Sequence, residues 1–206
     1  MNPLDTGQHR IHRASLKKVA EENHDRVFRA DVQALRVAEG AADIRPATEL
    51  DGKEAMLDVI RLLSIVLPPR ERVWWACLAA RDYIGPKSEN DPKPLTTSEA
   101  WVFNPSDENR EAARNSIDEA YIDDETVNCA LSVLYFDGTL GPADLAQFPA
   151  PAGASETYAF VMNVVALDKN SDRFEEYGQM LIDRGVDIAR GGNGRMTAKE
   201  ENKEAT

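Results

Sequence analysis

Histidine is absent from most of this chain, which removes the commonest catalytic base from its larger part. The three histidines, His9, His12 and His24, all lie within the first 24 of the 206 residues. The rest of the chain therefore lacks the imidazole of a Ser–His–Asp or Cys–His catalytic arrangement. Without histidine, Cys77 and Cys129 cannot complete a closed zinc site. We interpret His9 and His12 as solvated residues of an N-terminal tail, and we expect neither a metal nor a cofactor.

Long apolar runs are absent as well. No stretch approaches the roughly 18 apolar residues of a membrane-spanning helix, so we expect no membrane insertion. The first 13 residues, MNPLDTGQHRIHR, contain no apolar core of a secretory signal. Two cysteines are too few for a disulfide framework, and both lie in apolar helical patterns. We therefore expect a cytoplasmic protein with buried, reduced thiols, and the sequence leaves a disulfide between Cys77 and Cys129 open.

Phosphate-binding loops and β-strand patterns are also missing. The sequence contains neither a P-loop nor a dinucleotide-binding fingerprint. The glycine-rich stretch GGNGR, residues 191–195, follows a helical pattern rather than a strand, so we interpret it as a helix stop followed by a tail. No segment of consequence alternates apolar and polar residues as a half-buried strand does. These absences leave an all-α fold.

Basic residues are scarce relative to acidic ones. The chain has 24 Lys and Arg against 36 Asp and Glu, a formal net charge of -12. A surface this acidic disfavours binding to nucleic acid and suits a more basic protein partner, or it serves solubility alone. Residues 1–45 differ from the rest, because they contain eight basic and seven acidic residues. Residues 101–125 contain eight acids and two arginines, which fits either a solvated face or an acidic docking surface.

What the sequence does contain is a succession of amphipathic helical patterns. In the clearest, at residues 52–67, apolar residues recur every three or four positions until Pro68 and Pro69 end it. Pro69 can occupy the first position of the next helix, which we predict to end near Ile84. Residues 73–80 of that helix contain no polar side chain, and a helix that is apolar all round is usually buried.

These patterns predict the fold class and the domain limits. We predict a single all-α domain at residues 14–190, with about seven or eight helices. The helices are expected to form an irregular helical bundle or a short stack of antiparallel helix pairs. Residues 1–13 are predicted to be a flexible N-terminal tail, and residues 191–206 a disordered C-terminal tail.

Four local features carry further structural expectations. Asn104 is predicted to cap a helix whose first residue is Pro105. Tyr121 is predicted to continue the buried apolar stripe of that helix. Phe148 is expected to anchor the long connection rich in Gly, Pro and Ala in which it lies. Ser155 is predicted to cap the helix that follows this connection.

Two adjacent tryptophans stand out in PPRERVWWACLAAR, residues 68–81. We predict that at least one of them belongs to the core, and Trp74 is the stronger candidate. In the first turn of the helix, Glu71 suits the positive helix end, whereas the arginines beside it need a partner elsewhere. A tryptophan that remained exposed at this helix mouth would be a natural binding hot spot. The predicted partner-binding residues are Arg70, Glu71, Trp75 and Trp101.

Four stretches follow one another in a recognisable order: LPPRERVWWACLAAR, EAWVFNPSDENREAARNSIDEA, ALSVLYFDGTLGP and LIDRGVDIARGG. With its Pro-Arg-Glu-x-x-Trp-Trp helix, the chain resembles a family of uncharacterised bacterial helical proteins that are often encoded near type VI secretion genes. The resemblance covers roughly residues 17–191. FPAPAGAS stands where the family tends to carry three prolines, which leaves the shape of that loop open. The resemblance implies an all-helical fold and an association with secretion, and it implies no catalytic residue.

We therefore expect a non-enzymatic protein-interaction module that serves as an accessory or adaptor protein of a bacterial type VI secretion system. One alternative is a chaperone or immunity-type protein that neutralises a specific effector in a tight complex. Another is an enzyme that uses carboxylates in a helical pocket, which requires a deep cleft with at least two acids of perturbed pKa. The interaction module instead requires a broad apolar or acidic surface. Homo-oligomerisation also stays open.

Overall fold

The computed structural model describes the backbone of residues 49–195 and the side chains of residues 56–195. Seven α-helices and no named strand occur in this part of the chain, so the all-α prediction is confirmed. Predictions made for residues 1–48 and 196–206 lie outside the described residues. The helices are α1 (Glu49–Val66), α2 (Pro69–Ile84), α3 (Lys93–Phe103), α4 (Asp107–Asp118), α5 (Val127–Leu134), α6 (Ala154–Lys169) and α7 (Phe174–Ala189).

Helix α2 begins and ends where its sequence predicted. Pro69 is its first residue, where the missing N–H costs nothing because first-turn donors have no helical partner. Gly85 follows Ile84 with φ 96°, a conformation that glycine adopts without steric cost. The Gly85 N–H donates to the Arg81 carbonyl at 2.8 Å and so completes the last turn.

The start of α4 differs from the prediction. The helix begins at Asp107, and the Ser106 hydroxyl accepts a hydrogen bond from the Asn109 backbone N–H at 3.3 Å. Ser106 is therefore the N-cap, and Asn104 instead follows the last residue of α3. Pro105 lies in the connection between the two helices rather than at the first helical position. The predicted cap was wrong because serine and asparagine are both good caps, and only the backbone path separates them.

The segment that leads into α6 also differs from the prediction. Gly153, with φ 73°, precedes α6, and Ser155 lies inside the helix. The Ser155 hydroxyl is buried and donates to the Ser132 carbonyl at 2.8 Å, which joins α6 to α5. Phe148 does not anchor the connection, since its side chain is 50% exposed. Its backbone does so instead, because the Phe148 carbonyl accepts from the Leu140 N–H at 2.9 Å.

Two apolar clusters lie on opposite sides of α2. The first includes Ile60, Leu63, Trp75, Leu167 and Leu181, from α1, α2, α6 and α7. The second includes Val73, Cys77, Leu95, Trp101, Cys129 and Met162, from α2, α3, α5 and α6. Because each cluster uses a different face of α2, this helix is apolar all round, as its sequence indicated.

The directions of α1 and α6 are opposite. The Arg61 guanidinium lies 4.9 Å from the centre of the Phe160 ring. Farther along α1, Arg72 of α2 joins the Ser64 carbonyl to the Ser155 hydroxyl, at 2.6 and 3.2 Å. Residues farther along α1 therefore lie beside residues earlier in α6, so the two helices are antiparallel. The first turn of α1 lies beside the last turn of α6.

Helix α7 runs parallel to α1 and approaches it closely. A Cβ atom at Gly185 would lie 2.9 Å from Leu63 Cδ1, and one at Gly178 would overlap Met56 Sδ. Glycine at these two positions lets the helices touch where a larger residue would force them apart. Because α7 starts where α6 ends, the first turns of α1 and α7 and the last turn of α6 share one end of the bundle.

Buried arginines satisfy carbonyls at helix ends. Arg72 donates to the carbonyls of Ser64 at 2.6 Å and Leu67 at 3.1 Å, around the end of α1. Arg110 donates to the Leu134 carbonyl at 3.0 Å, at the end of α5. The last carbonyls of a helix have no helical N–H partner, so these guanidinium groups replace the missing donors. Each arginine also ties a neighbouring helix to that end.

Residues 191–195 pack against α2 and α7, which corrects the prediction that a disordered tail begins at residue 191. Arg184 Nε donates to the Gly194 carbonyl at 3.1 Å, and the Gly194 N–H donates to the Asp187 carboxylate at 2.9 Å. The Trp74 indole N–H donates to the Asn193 carbonyl at 2.8 Å. The stretch GGNGR thus finds partners on other elements, which its own composition did not reveal.

Candidate functional site

Trp75 and Trp101 lie in the interior, which corrects the prediction that they contact a partner. Trp75 is fully buried and donates its indole N–H to the Leu181 carbonyl at 3.0 Å. Trp101 is 2% exposed, and its ring centre lies 4.8 Å from that of Phe136. Both indoles are core residues because their helices are covered on the faces that carry them.

Arg70 and Glu71 do lie at the molecular surface, in the first turn of α2. Arg70 is exposed and donates from Nε to the Val102 carbonyl at 2.6 Å, so it ties the start of α2 to the end of α3. Glu71 is partly buried, and its position in the first turn favours the positive helix end. Partner binding by these two residues stays a prediction.

Trp74, rather than Trp75, is the partly exposed tryptophan of the pair. Its ring contacts that of Phe103 edge to face at 6.0 Å, and Phe103 itself is 69% exposed. The Arg195 guanidinium lies 6.0 Å from the Trp74 ring centre. With its N–H on the Asn193 carbonyl, Trp74 holds residues 193–195 against the bundle. Trp74, the stronger candidate for the core, is therefore the less buried of the two.

The largest exposed fractions among the described apolar side chains belong to Tyr121 and Ile122, at 84% and 107%. The prediction that Tyr121 is buried on α4 is wrong, because α4 ends at Asp118. A turn follows at once, in which the Ala120 N–H donates to the Ile117 carbonyl at 3.3 Å. Tyr121 therefore leaves the apolar face that the helical spacing had assigned to it.

Hydrogen bonds fix the chain around these two apolar residues. The Asp124 N–H donates to the Tyr121 carbonyl at 3.0 Å and closes a tight turn. The Asp124 carboxylate then accepts from the Thr126 N–H at 2.9 Å and from its hydroxyl at 2.6 Å. Tyr121 and Ile122 are thus held outward on an ordered turn. We name residues 118–125 the acidic segment; its carboxylates belong to Asp118, Glu119, Asp123, Asp124 and Glu125.

Two lysines of other helices join the acidic segment to the bundle. Lys93, the first residue of α3, pairs with Glu119. Lys169, the last residue of α6, pairs with Glu125 at 3.1 Å. Exposed pairs of this kind contribute little stability, so their importance lies in where they place the segment. Five carboxylates against two paired ammonium groups leave the surface around Tyr121 and Ile122 negative.

A pocket of about 200 Å³ lies between α2, the connection from α6 to α7 and the start of α7. Its polar lining includes Asp82 and Tyr177, and the Asp82 carboxylate accepts from the Tyr177 hydroxyl at 2.7 Å and from Arg184 at 2.6 Å. Burial, together with the Asp82 hydrogen bond, raises the pKa of the Tyr177 phenol far above its ordinary value. The Asp82 carboxylate is thus engaged by internal partners.

The two cysteines lie together inside the second apolar cluster. Cys77 and Cys129 are buried free thiols, and the predicted burial is confirmed. Burial raises the pKa of the Cys77 thiol, and its hydrogen bond with Cys129 raises it further. A thiol kept protonated in this way is a poor nucleophile and a poor metal ligand.

Metal clusters and spanning helices are not found in the described part of the chain. Among residues 49–195, no group of three or more His, Cys, Asp or Glu side chains could hold a metal ion. No helix within the same range is long and apolar enough to cross a membrane. The histidines considered from the sequence, His9, His12 and His24, lie outside these residues.

Sequence reasoning recognised the acidic character of residues 101–125 but missed the two residues that make it distinctive. Tyr121 and Ile122 follow α4 at a spacing that continues an apolar stripe, so the pattern assigned Tyr121 to the core. The acidic residues on both sides were the available signal, because apolar residues within such a stretch tend to lie in a solvated connection.

Comparisons with known proteins identify a family and add no activity. Residues 47–189 match the family described as "Family of unknown function (DUF6931)". No curated protein and no solved structure matches the chain. The matched residues run from just before α1 to the end of α7, and they include every helix of the described part. The chain therefore belongs to this family of unknown function, DUF6931.

Proposed function

We propose that this chain is a non-enzymatic interaction module that binds a more basic protein through the acidic segment. The observation that carries the proposal is the exposure of Tyr121 and Ile122 on an ordered turn flanked by carboxylates. A partner with an apolar depression rimmed by Lys or Arg would bury both side chains and pair with the carboxylates around them.

The physical basis of this binding has two parts. Burial of a tyrosine and an isoleucine supplies affinity, since each large apolar side chain contributes about 1.5–3 kcal/mol when removed from water. The carboxylates supply attraction at a distance and select a positively charged surface. Because Asp118, Glu119 and Asp123 are exposed, salt screens their contribution while the apolar contribution persists. The complex is therefore expected to weaken with salt.

We further propose that the partner belongs to a bacterial type VI secretion system, for which this chain serves as an accessory or adaptor protein. The support is the resemblance of its Pro-Arg-Glu-x-x-Trp-Trp helix, and of the three stretches that follow it, to the family of bacterial helical proteins often encoded near type VI secretion genes. The acidic segment lies within the second of those stretches, EAWVFNPSDENREAARNSIDEA, and in the residues directly after it.

The experiment compares captured proteins between the natural chain and a variant that lacks the apolar pair. Tagged Tyr121→Ser/Ile122→Ser is expressed in the source organism beside the natural chain. Leu145→Ser/Phe148→Ser is the matched control, because it also removes two exposed apolar side chains, from a different connection. Captured proteins are identified by mass spectrometry at low salt and at about 1 M salt.

The proposal predicts a basic protein that the natural chain and the control both capture at low salt. The Tyr121→Ser/Ile122→Ser variant should capture at least about tenfold less of it, because two hot-spot side chains are lost. Identification of that protein as a secretion component would support the finer proposal. Equal capture by all three chains would contradict the proposed surface. A single small toxin retained at high salt would favour the neutralising alternative instead.

A further inference from the structure

An aromatic pair lies at the surface where α3 ends. Phe103, the last residue of α3, is 69% exposed, and its ring meets that of Trp74 edge to face at 6.0 Å. The Arg195 guanidinium lies 6.0 Å from the Trp74 ring centre. Arg70, one turn before Trp74 on α2, donates from Nε to the carbonyl of Val102, the residue before Phe103. We name Arg70, Trp74, Phe103 and Arg195 the aromatic patch.

The aromatic patch carries two exposed cations, Arg70 and Arg195. In the part of the chain that the structure describes, neither guanidinium pairs with a carboxylate. The acids that follow Phe103, Asp107 and Glu108, lie in the first turn of α4, where the positive helix end favours them. Aromatic rings between unpaired guanidinium groups suit an apolar surface that has carboxylates around it.

The acidic segment lies at the opposite end of the same pair of helices. Phe103 ends α3, whereas Lys93, the first residue of α3, pairs with Glu119 of the acidic segment. Helix α4 connects the two ends; it has 12 residues and is about 18 Å long at the helical rise. Within one molecule α4 therefore holds the two surfaces apart, and a second molecule is needed to bring them into contact.

The two surfaces are complementary in apolar content and in charge. The acidic segment presents Tyr121 and Ile122 among carboxylates, and the aromatic patch presents Trp74 and Phe103 among guanidinium groups. Guanidinium groups and carboxylates form strong, charge-assisted hydrogen bonds. Contact between the surfaces would remove large apolar side chains from water on both sides and give the unpaired arginines their carboxylate partners.

We propose that the acidic segment of one molecule binds the aromatic patch of a second copy of this chain. The contact is head to tail, because each molecule uses a different surface and keeps its other surface free for a further copy. This inference rests on the proposed function, since it gives the acidic segment an occupant in the absence of another protein. A more basic partner would then compete with the second copy for Tyr121 and Ile122.

Sedimentation velocity of the full-length chain tests the contact. Measurements extend to about 200 μM, which covers the weak affinity of a small interface. They are made at about 0.15 M salt, where a Debye length of about 8 Å screens the repulsion between chains of net charge -12. The expected result is a sedimentation coefficient that rises with concentration. A constant monomer value over the whole range would overturn the inference.

Two variants each remove one surface. Tyr121→Ser/Ile122→Ser removes the apolar residues of the acidic segment, and Phe103→Ser/Arg195→Glu removes a ring and reverses a charge of the aromatic patch. Each variant alone should associate at least about tenfold more weakly than the natural chain. Their mixture should form a dimer and nothing larger, because each variant retains the surface that the other lacks. Circular dichroism verifies that both variants keep the natural helix content.

A matched control tests whether the position of the changes matters. Phe148→Ser/Lys87→Glu also removes an exposed ring and reverses an exposed cation, at other places on the surface. It should associate as the natural chain does, and an equal loss of association would contradict the assigned surface. Full association by either single-surface variant would indicate contact between identical surfaces and overturn the head-to-tail arrangement, as would a mixture that forms no dimer.

The capture experiment separates this inference from the proposed function. A natural chain that stays monomeric overturns the head-to-tail contact, yet the proposed function stands if capture of a basic partner depends on Tyr121 and Ile122. Self-association without such capture would contradict the proposed function alone. Where both occur, Phe103→Ser/Arg195→Glu should capture several times more partner than the natural chain, because the competing copy is weakened.

Discussion

At the scale of single residues, Trp74 and Trp75 show that neighbours in one helix can have different roles. Trp75 fills the cluster between α1, α2 and α7 and donates to the Leu181 carbonyl. Trp74 lies at the edge of both clusters and holds Asn193 by a hydrogen bond. Replacement of the two residues should therefore cost different amounts of stability.

We predict that Trp75→Ala lowers the free energy of unfolding by about 3–5 kcal/mol, as expected for an indole removed from a closed core. Trp74→Ala should cost less than half of that, because its ring is partly exposed and solvent can fill the space. Urea unfolding followed by circular dichroism measures both values. Equal losses for the two variants would contradict the assignment of Trp75 to the core.

Asp137 provides a pH-dependent prediction at the same scale. Its carboxylate accepts two hydrogen bonds from Arg110, both at 2.8 Å, and further bonds from Thr139. Burial acts to raise the pKa of Asp137, but the hydrogen bonds from Thr139 and Arg110 outweigh it, and the pKa lies below its ordinary value. A carboxyl whose pKa is lower in the folded state stabilises the fold above its unfolded pKa.

The stability that Asp137 contributes should be lost as the pH falls below about 4, the ordinary range of an aspartate. Asp137→Asn should therefore reduce stability at pH 7 but approach the natural chain near pH 3. Thermal unfolding across this pH range measures the difference. Asp144→Asn, an exposed aspartate of the same connection, is the control. A stability difference for Asp137→Asn that is independent of pH would contradict the mechanism.

At the scale of helices, the sequence predicts an end where proline or glycine determines it. Pro69 and Gly85 define α2 by their own backbone preferences, so both limits could be read without a structure. The burial of Trp75 could not, because residues 73–80 are apolar all round and the neighbouring helices decide which face is deepest. The same limit applies to Ser155, whose hydroxyl bonds to Ser132 of another helix.

The acidic segment illustrates why the candidate site was only partly predictable. Local composition showed its charge, which is a property of the sequence alone. Tyr121 is exposed because α4 ends at Asp118. The Ala120 N–H then donates to the Ile117 carbonyl, three residues back, rather than four residues back as in a continuing α-helix. Helix ends without proline or glycine carry weak signals, so the periodicity extended too far.

The start of α4 gives a prediction at the helix scale. Ser106→Ala should lower the free energy of unfolding by about 1 kcal/mol, because the Asn109 N–H loses its capping acceptor. Asn104→Ala should change it by less than about 0.5 kcal/mol, since Asn104 does not cap α4. Chemical denaturation of the two variants under one set of conditions compares them directly. A larger loss of unfolding free energy for Asn104→Ala than for Ser106→Ala would instead identify Asn104 as the N-cap of α4.

At the scale of the whole molecule, one end of the bundle collects the features that point to a partner. The acidic segment and the last residue of α6 lie there together, joined by the Lys169–Glu125 ion pair. Arg70 and Phe103 lie at the opposite end, where α3 ends and α4 begins. A basic partner is expected to approach the end that carries the acidic segment.

Site-specific photo-cross-linking in cells of the source organism would show which protein the acidic segment contacts. Tyr121 is replaced by a photoreactive phenylalanine derivative, and in a second chain Phe148 is replaced in the same way as the exposed control. The account predicts a cross-link from position 121 to a basic protein, with no such product from position 148. Identical products from both positions, or no product with another protein from position 121, would contradict the claim that the acidic segment is the binding surface.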